Sequence, residues 1–96
     1  MKKTGVELIS DEREKQIVKH GFTGEHHFNH PEWYDKNQLI QAANTLSNPG
    51  TIEHCRLPLN WDFEWFRNLT KRSYQERLVI SGALIAAELD RLNFSH

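Results

Sequence analysis

The chain has 96 residues, with 12 Lys+Arg against 13 Asp+Glu, 38% hydrophobic and 26% charged residues, and a single cysteine. The balanced charge argues against a protein that coats duplex DNA, which needs a basic face, but allows a small anionic ligand, which needs only a few placed cations. One cysteine excludes an intrachain disulfide, and no stretch approaches the ~20 apolar residues of a membrane span or forms a signal sequence, so a cytoplasmic location is expected.

This length and composition suit a single helical domain over 1–96. Its core would be modest, and chains of this size often gain stability by oligomerisation. Thr4 with Glu7 reads as a capping box that opens a first helix from Gly5 to Lys19. Val6, Ile9, Arg13, Gln16, Ile17 and His20 share one face at helical spacing, while Asp11, Glu14, Lys15 and Val18 point elsewhere. Arg13 in that face has two readings: a structural ion pair at the core edge, or an arginine aimed at a ligand carboxylate or phosphate. Gly21 is a C-terminal stop.

The next stretch contains "GEHHFNHPEW" at 24–33, with three of the six histidines in five positions. His26 and His30 are four apart, the spacing of a helical metal-ligand pair, but Pro31 disfavours helix at His30 and predicts a loop. Three readings stay open: a metal site completed by Glu25, His20, His54 or Cys55, an ordered polar loop, or ligand contact. A second helix is expected from Lys36 to Leu46, capped by Asp35 with Gln38 and closed by "SNPG" at 47–50.

Residues 51–72 read as a mostly irregular aromatic loop, with Asn60 or Asp62 able to cap a short turn that puts Trp61 and Trp65 on one side. The loop could be a lid over the core. Two tryptophans beside Arg67, Lys71 and Arg72 would also suit a nucleobase with phosphates. A final helix is capped by Ser73 with Glu76 and runs to Asn93. Its expected main stripe is Tyr74, Leu78, Gly82, Ile85, Leu89 and Leu92. "LVISGALIAA" at 78–87 is apolar nearly all round, which predicts burial on two sides and a homo-oligomer interface, with Gly82 and its alanines allowing close backbone approach.

No nucleophile elbow or phosphate-cradling glycine loop is present. The paired acidic motifs of MazG-type nucleotide pyrophosphohydrolases are not there either. Asp11 and Glu14 lie on the outer face of the first helix, and Glu88 is alone.

"ISDEREKQI" at 9–17, "GFTGEHHFNH" at 21–30, "LPLNWDFEW" at 57–65 and "RLVISGALIAAELDRL" at 77–92 occur in the order typical of a widespread family of small phage and prophage proteins, which the chain resembles over nearly its whole length. Carried over residue by residue, the resemblance marks Arg13, Glu25, His26, His30, Trp61, Trp65, Arg77 and Glu88. The family's paired loop aspartates are His27 and Phe28 here, and its usual lysine is Ile80, which weighs against a hydrolytic metal site. Phage proteins of this size often block host defence, in one case by holding a signalling nucleotide in pockets between subunits.

The expectation is therefore an all-α domain of three main helices with a long aromatic loop, forming a homo-oligomer. It would bind and sequester a small anionic nucleotide without catalysis, cofactor or metal, to counter host defence. Trp61 and Trp65 would stack, Arg13 and Arg77 would meet phosphate or form pocket-shaping ion pairs, and His26 and His30 would make polar contacts. The alternatives are a metal-dependent nucleotide hydrolase and a protein-interaction module.

Overall fold

The computed structural model describes residues 2–52 and 56–94. Among these the chain is 71% helical, with no strand. The elements are α1 (Gly5–His20), α2 (Gly24–Asn29), α3 (Pro31–Tyr34), α4 (Gln38–Leu46), α5 (Phe63–Thr70) and α6 (Tyr74–Phe94). The all-α expectation holds.

The Thr4–Glu7 capping box forms in both directions and starts α1, and Gly21 ends it in the left-handed conformation at φ 68°. Asp62 caps α5 by accepting from the Trp65 N–H. The Ser73 hydroxyl accepts from the Glu76 N–H and donates to the Glu76 carboxylate at the start of α6.

The middle of the chain departs from expectation. The histidine-rich stretch is two short helices, not a loop. Thr23 caps α2, and Pro31 begins α3, where its missing N–H costs nothing. His30, at φ −123° and ψ 65°, is the non-helical joint that a residue before proline adopts. α4 begins at Gln38 rather than Lys36, behind a left-handed Asn37. Asp35 caps the end of α3, not the start of α4.

The helix α6 is the spine, against which α4, α2 and α1 pack. The core joins Leu39, Ala42, Ala43 and Leu46 of α4 to Ile80, Leu84 and Ala87 of α6, with Phe66 and Tyr34 closing it. Ala42, Ala83 and Ala87 are fully buried, and the Ser81 hydroxyl donates to the Ala43 carbonyl at 3.1 Å. Small side chains on both helices allow that close crossing.

The expected main stripe of α6 is therefore the outward one. Tyr74, Leu78, Ile85, Leu89 and Leu92 are 40–57% exposed, while the buried arc is Arg77, Ile80, Ser81, Ala83, Leu84, Ala87 and Glu88. Gly82 does allow a close approach, but to α1: a Cβ there would lie 2.5 Å from the Ile9 side chain. At the start of α2, a Cβ on Gly24 would lie 2.5 Å from the Asp90 carbonyl oxygen, so this glycine lets α2 rest on the backbone of α6.

Candidate functional site

A cleft of about 720 Å³ opens among α1, α2, α3 and α5, above α4 and α6. That volume lies within the range of small-molecule sites. Phe22, His26, His27, Trp33 and Tyr34 form one wall, and Asn60, Trp61, Asp62, Trp65 and Leu69 form another. Glu12, Lys15, Gln16 and His20 come from α1, Arg72 stands at the α5–α6 junction, and Leu39, Ile80 and Leu84 make the floor.

The first wall is a ladder of rings. His20 stacks on Phe22 at 5.3 Å, Phe22 meets His26 at 5.6 Å, and His26 meets His30 at 4.4 Å. His30 lies nearly parallel to Trp33 at 4.6 Å and 15°. The helical spacing of His26 and His30 thus brings the rings together even though Pro31 ends the helix. Behind the ladder, His27 is buried edge-on to the Tyr34 ring at 4.2 Å.

The second wall is an edge-to-face cluster, Tyr34 to Trp61 at 6.4 Å and Trp61 to Trp65 at 5.8 Å. The walls are tied together. The Trp61 indole N–H donates to the Trp33 carbonyl at 2.8 Å, and the Asn60 amide donates to the Glu32 carbonyl at 2.8 Å. Gln38, fully buried, donates to the Glu32 and Leu59 carbonyls and accepts from the Lys36 N–H.

Burial shifts three titratable groups of the wall toward their neutral forms. Burial, then the neighbouring Arg13 cation, pushes the His27 imidazole down to about 4. Burial, then the neighbouring His30, lowers His26. Burial raises the Tyr34 phenol to about 12. At neutral pH His26, His27 and Tyr34 offer ring faces and neutral polar groups rather than charge.

Of the residues singled out by sequence, His26, Trp61 and Trp65 line the cleft, whereas Arg13, Glu25, His30, Arg77 and Glu88 do not. Arg13 takes the structural alternative. Its guanidinium pairs with Asp90 at 2.8 Å and donates to the Phe22 carbonyl at 2.7 Å, which joins α1, the α1–α2 turn and α6.

Arg77 does not face the cleft, and among the described residues it pairs with no carboxylate. It donates to the carbonyls of Leu46, Asn48, Gly50 and Arg72. Glu88 is paired with Arg91 at 2.5 Å, and Glu25 is exposed. His30 supports the ladder from outside the cleft, and Glu32 at 3.1 Å supplies the carboxylate partner that the sequence did not reveal.

Sequence reasoning missed Glu12, Lys15, Phe22, Trp33 and Tyr34. Lys15 follows Glu12 by three and precedes Gln16, and that spacing placed the face one step too far round. The aromatic residues flanking "EHHFNH" were the available signal for the first wall.

Among the described residues no group of three His, Cys, Asp or Glu side chains is placed to hold a metal ion, and His54 and Cys55 lie outside those residues. No described helix is long and apolar enough to cross a membrane. Comparison with protein families, curated proteins and solved structures returned no match.

Proposed function

We propose that this protein binds a small nucleotide in the aromatic cleft of a single chain and holds it unchanged. The observation that carries the reading is the pairing of stacking surface with cations at its edge: Trp65, 41% exposed in the cleft, with Lys15 and Arg72 in the same lining. Indole faces accept any nucleobase, and a few cations suffice for phosphate. The cleft walls come from one chain, so no pocket between subunits is needed. The resemblance to phage proteins supports sequestration of a host signalling nucleotide as the role of such a binder.

Trp65→Ala should weaken nucleotide binding by roughly fivefold to a hundredfold, since one lost base–aromatic stack is worth ~1–3 kcal/mol. Trp65→Phe should recover much of it, because a ring face is restored. Calorimetry against a nucleotide panel measures both, and mass spectrometry of the ligand released on denaturation should return it intact. Accumulation of pyrophosphate or a shortened nucleotide would replace the binder with a hydrolase.

We also propose that the outward face of α6 pairs with a second copy. Leu78, Ile85 and Leu89 are 40–57% exposed along one side of α6, and a cluster of exposed apolar side chains on a small protein can mark an interaction site. Light scattering at micromolar concentration should give twice the chain mass. The double variant Leu78→Glu with Leu89→Glu should give the single mass and keep its helical signal. A wild-type monomer rejects the pairing. Gly82 is not the residue to probe, because it contacts Ile9 within the chain.

A further inference from the structure

Resting on the nucleotide reading above, we infer that the cleft selects nucleotides carrying a single phosphoryl group, anchored by Lys15, over nucleoside di- and triphosphates. The formal charges lining it are Lys15 and Arg72 against Glu12 and Asp62, two of each sign. They are not equally available. Arg72 is shared with the Glu76 carboxylate at 3.3 Å. The Asp62 carboxylate is fixed by the Trp65 N–H at 2.8 Å, so it stays in the lining as a negative charge. Lys15 is exposed and has no hydrogen bond or ion pair among the described residues. His26 and His27, the histidines that burial holds neutral, add no positive charge at pH 7.5.

One uncommitted ammonium can match one phosphoryl group. Glu12 sits one turn before Lys15, and side chains three apart on a helix are neighbours at ~5–6 Å between Cβ atoms. A phosphate on Lys15 therefore brings the Glu12 carboxylate alongside the sugar, where it can accept from a ribose hydroxyl. A second or third phosphate finds no uncommitted cation and meets Glu12 or Asp62 instead. Like charges a few ångströms apart repel even at the dielectric of water. Sites built for polyphosphates gather several cations or a metal ion at this point, and among the described residues the lining has neither the excess positive charge nor a three-ligand metal cluster.

The test is calorimetry on the wild-type protein at pH 7.5 and low salt, without divalent cation. The probes are the mono- and triphosphates of the four ribonucleosides, with 3′,5′-cyclic AMP and adenosine added to the adenine series. In the series that binds best, the monophosphate or the cyclic diester should bind at least tenfold more tightly than the triphosphate, and comparing those two tells monoester from diester recognition. Lys15→Gln should lower monophosphate affinity about tenfold or more and leave the free nucleoside unchanged, because only the charge contact is removed. Glu12→Gln should narrow the gap by raising triphosphate affinity severalfold.

A triphosphate that binds as tightly as the monophosphate overturns the selectivity while the nucleotide reading survives. Equal loss of nucleoside and monophosphate in Lys15→Gln overturns the anchor. Binding of no nucleotide in any series overturns the nucleotide reading and this inference together.

Discussion

Arg77→Ala should cost about 3–5 kcal/mol of folding free energy, a large share of the ~5–14 kcal/mol available to a domain of this size. The guanidinium is 3% exposed, lies 5.5 Å from the Tyr74 ring centre, and among the described residues donates its hydrogen bonds only to carbonyls. Its Nη1 donates to Leu46 at 3.0 Å and Asn48 at 2.8 Å, its Nη2 to Gly50 at 2.6 Å, and its Nε to Arg72 at 3.1 Å. Leu46 ends α4, so Arg77 caps that helix from α6, where a cation also complements the negative end of the helix dipole. The same fork holds the 48–50 turn and the α5–α6 junction. Truncation leaves several carbonyls without a donor at once, and each unmet buried group costs ~1–3 kcal/mol, though the losses overlap. Arg77→Lys should recover less than half, because an ammonium cannot reach carbonyls on three sides of a planar fork. Urea denaturation measures this, with exposed Arg67→Ala expected within about 0.5 kcal/mol of wild type. An Arg77→Ala variant within 1 kcal/mol of wild type would show that the carbonyl cage contributes little.

That arginine illustrates what a sequence conceals. Several local signals with partners within four residues were legible: the Thr4–Glu7 box, Gly21, Asp62 and Ser73 act as their spacing predicts, whereas Asp35 closes α3 instead of opening α4. Arg13 was legible as a candidate structural ion pair and Arg77 as an important cation, but their partners were not, since these lie 77 and 27–31 residues away, apart from the nearer Arg72, Phe22 and Gln16.

The face of α6 was misread for a different reason. Hydrophobic periodicity favours the largest side chains, whereas helix crossing at Ala42, Ala43, Ala83 and Ala87 favours the smallest. The leucines were left outside because the alanines let α4 approach. In the cleft, Trp61 and Trp65 stood out as aromatic residues beside cations. Lys15, an ordinary solvated lysine by spacing alone, acquires a place only because residues of α2, α3 and α5 line the same cleft.

Acidification should remove roughly 3 kcal/mol of stability through His27 alone. This imidazole is 2% exposed, set edge-on against Tyr34 and close enough to feel the Arg13 cation. Burial is the larger cause and Arg13 the next, and together they hold its pKa down to about 4, against ~6.5 in an unfolded chain. Above pH 6.5 the ring is neutral whether the chain is folded or not, and its contribution is fully present. Between 6.5 and 4 the unfolded chain takes up a proton that the folded chain refuses, so stability falls by up to ~1.4 kcal/mol per pH unit. Below 4 both states are protonated and the loss is complete. His26, also lowered by burial, acts in the same direction. Denaturation midpoints from pH 7.5 to 4.5 should therefore fall steeply in wild type. The slope should flatten by nearly one proton in His27→Gln, which keeps a polar side chain but cannot titrate. An imidazole resonance of His27 titrating near 6.5 in the folded protein would refute the mechanism. The functional consequence follows from position. His27 backs the ring ladder and Tyr34, so the folded chain keeps that part of the cleft wall unprotonated until about pH 4. Nucleotide affinity per folded molecule should therefore hold across the interval in which stability declines, and apparent binding should fall only as the unfolded fraction grows, later in His27→Gln than in wild type.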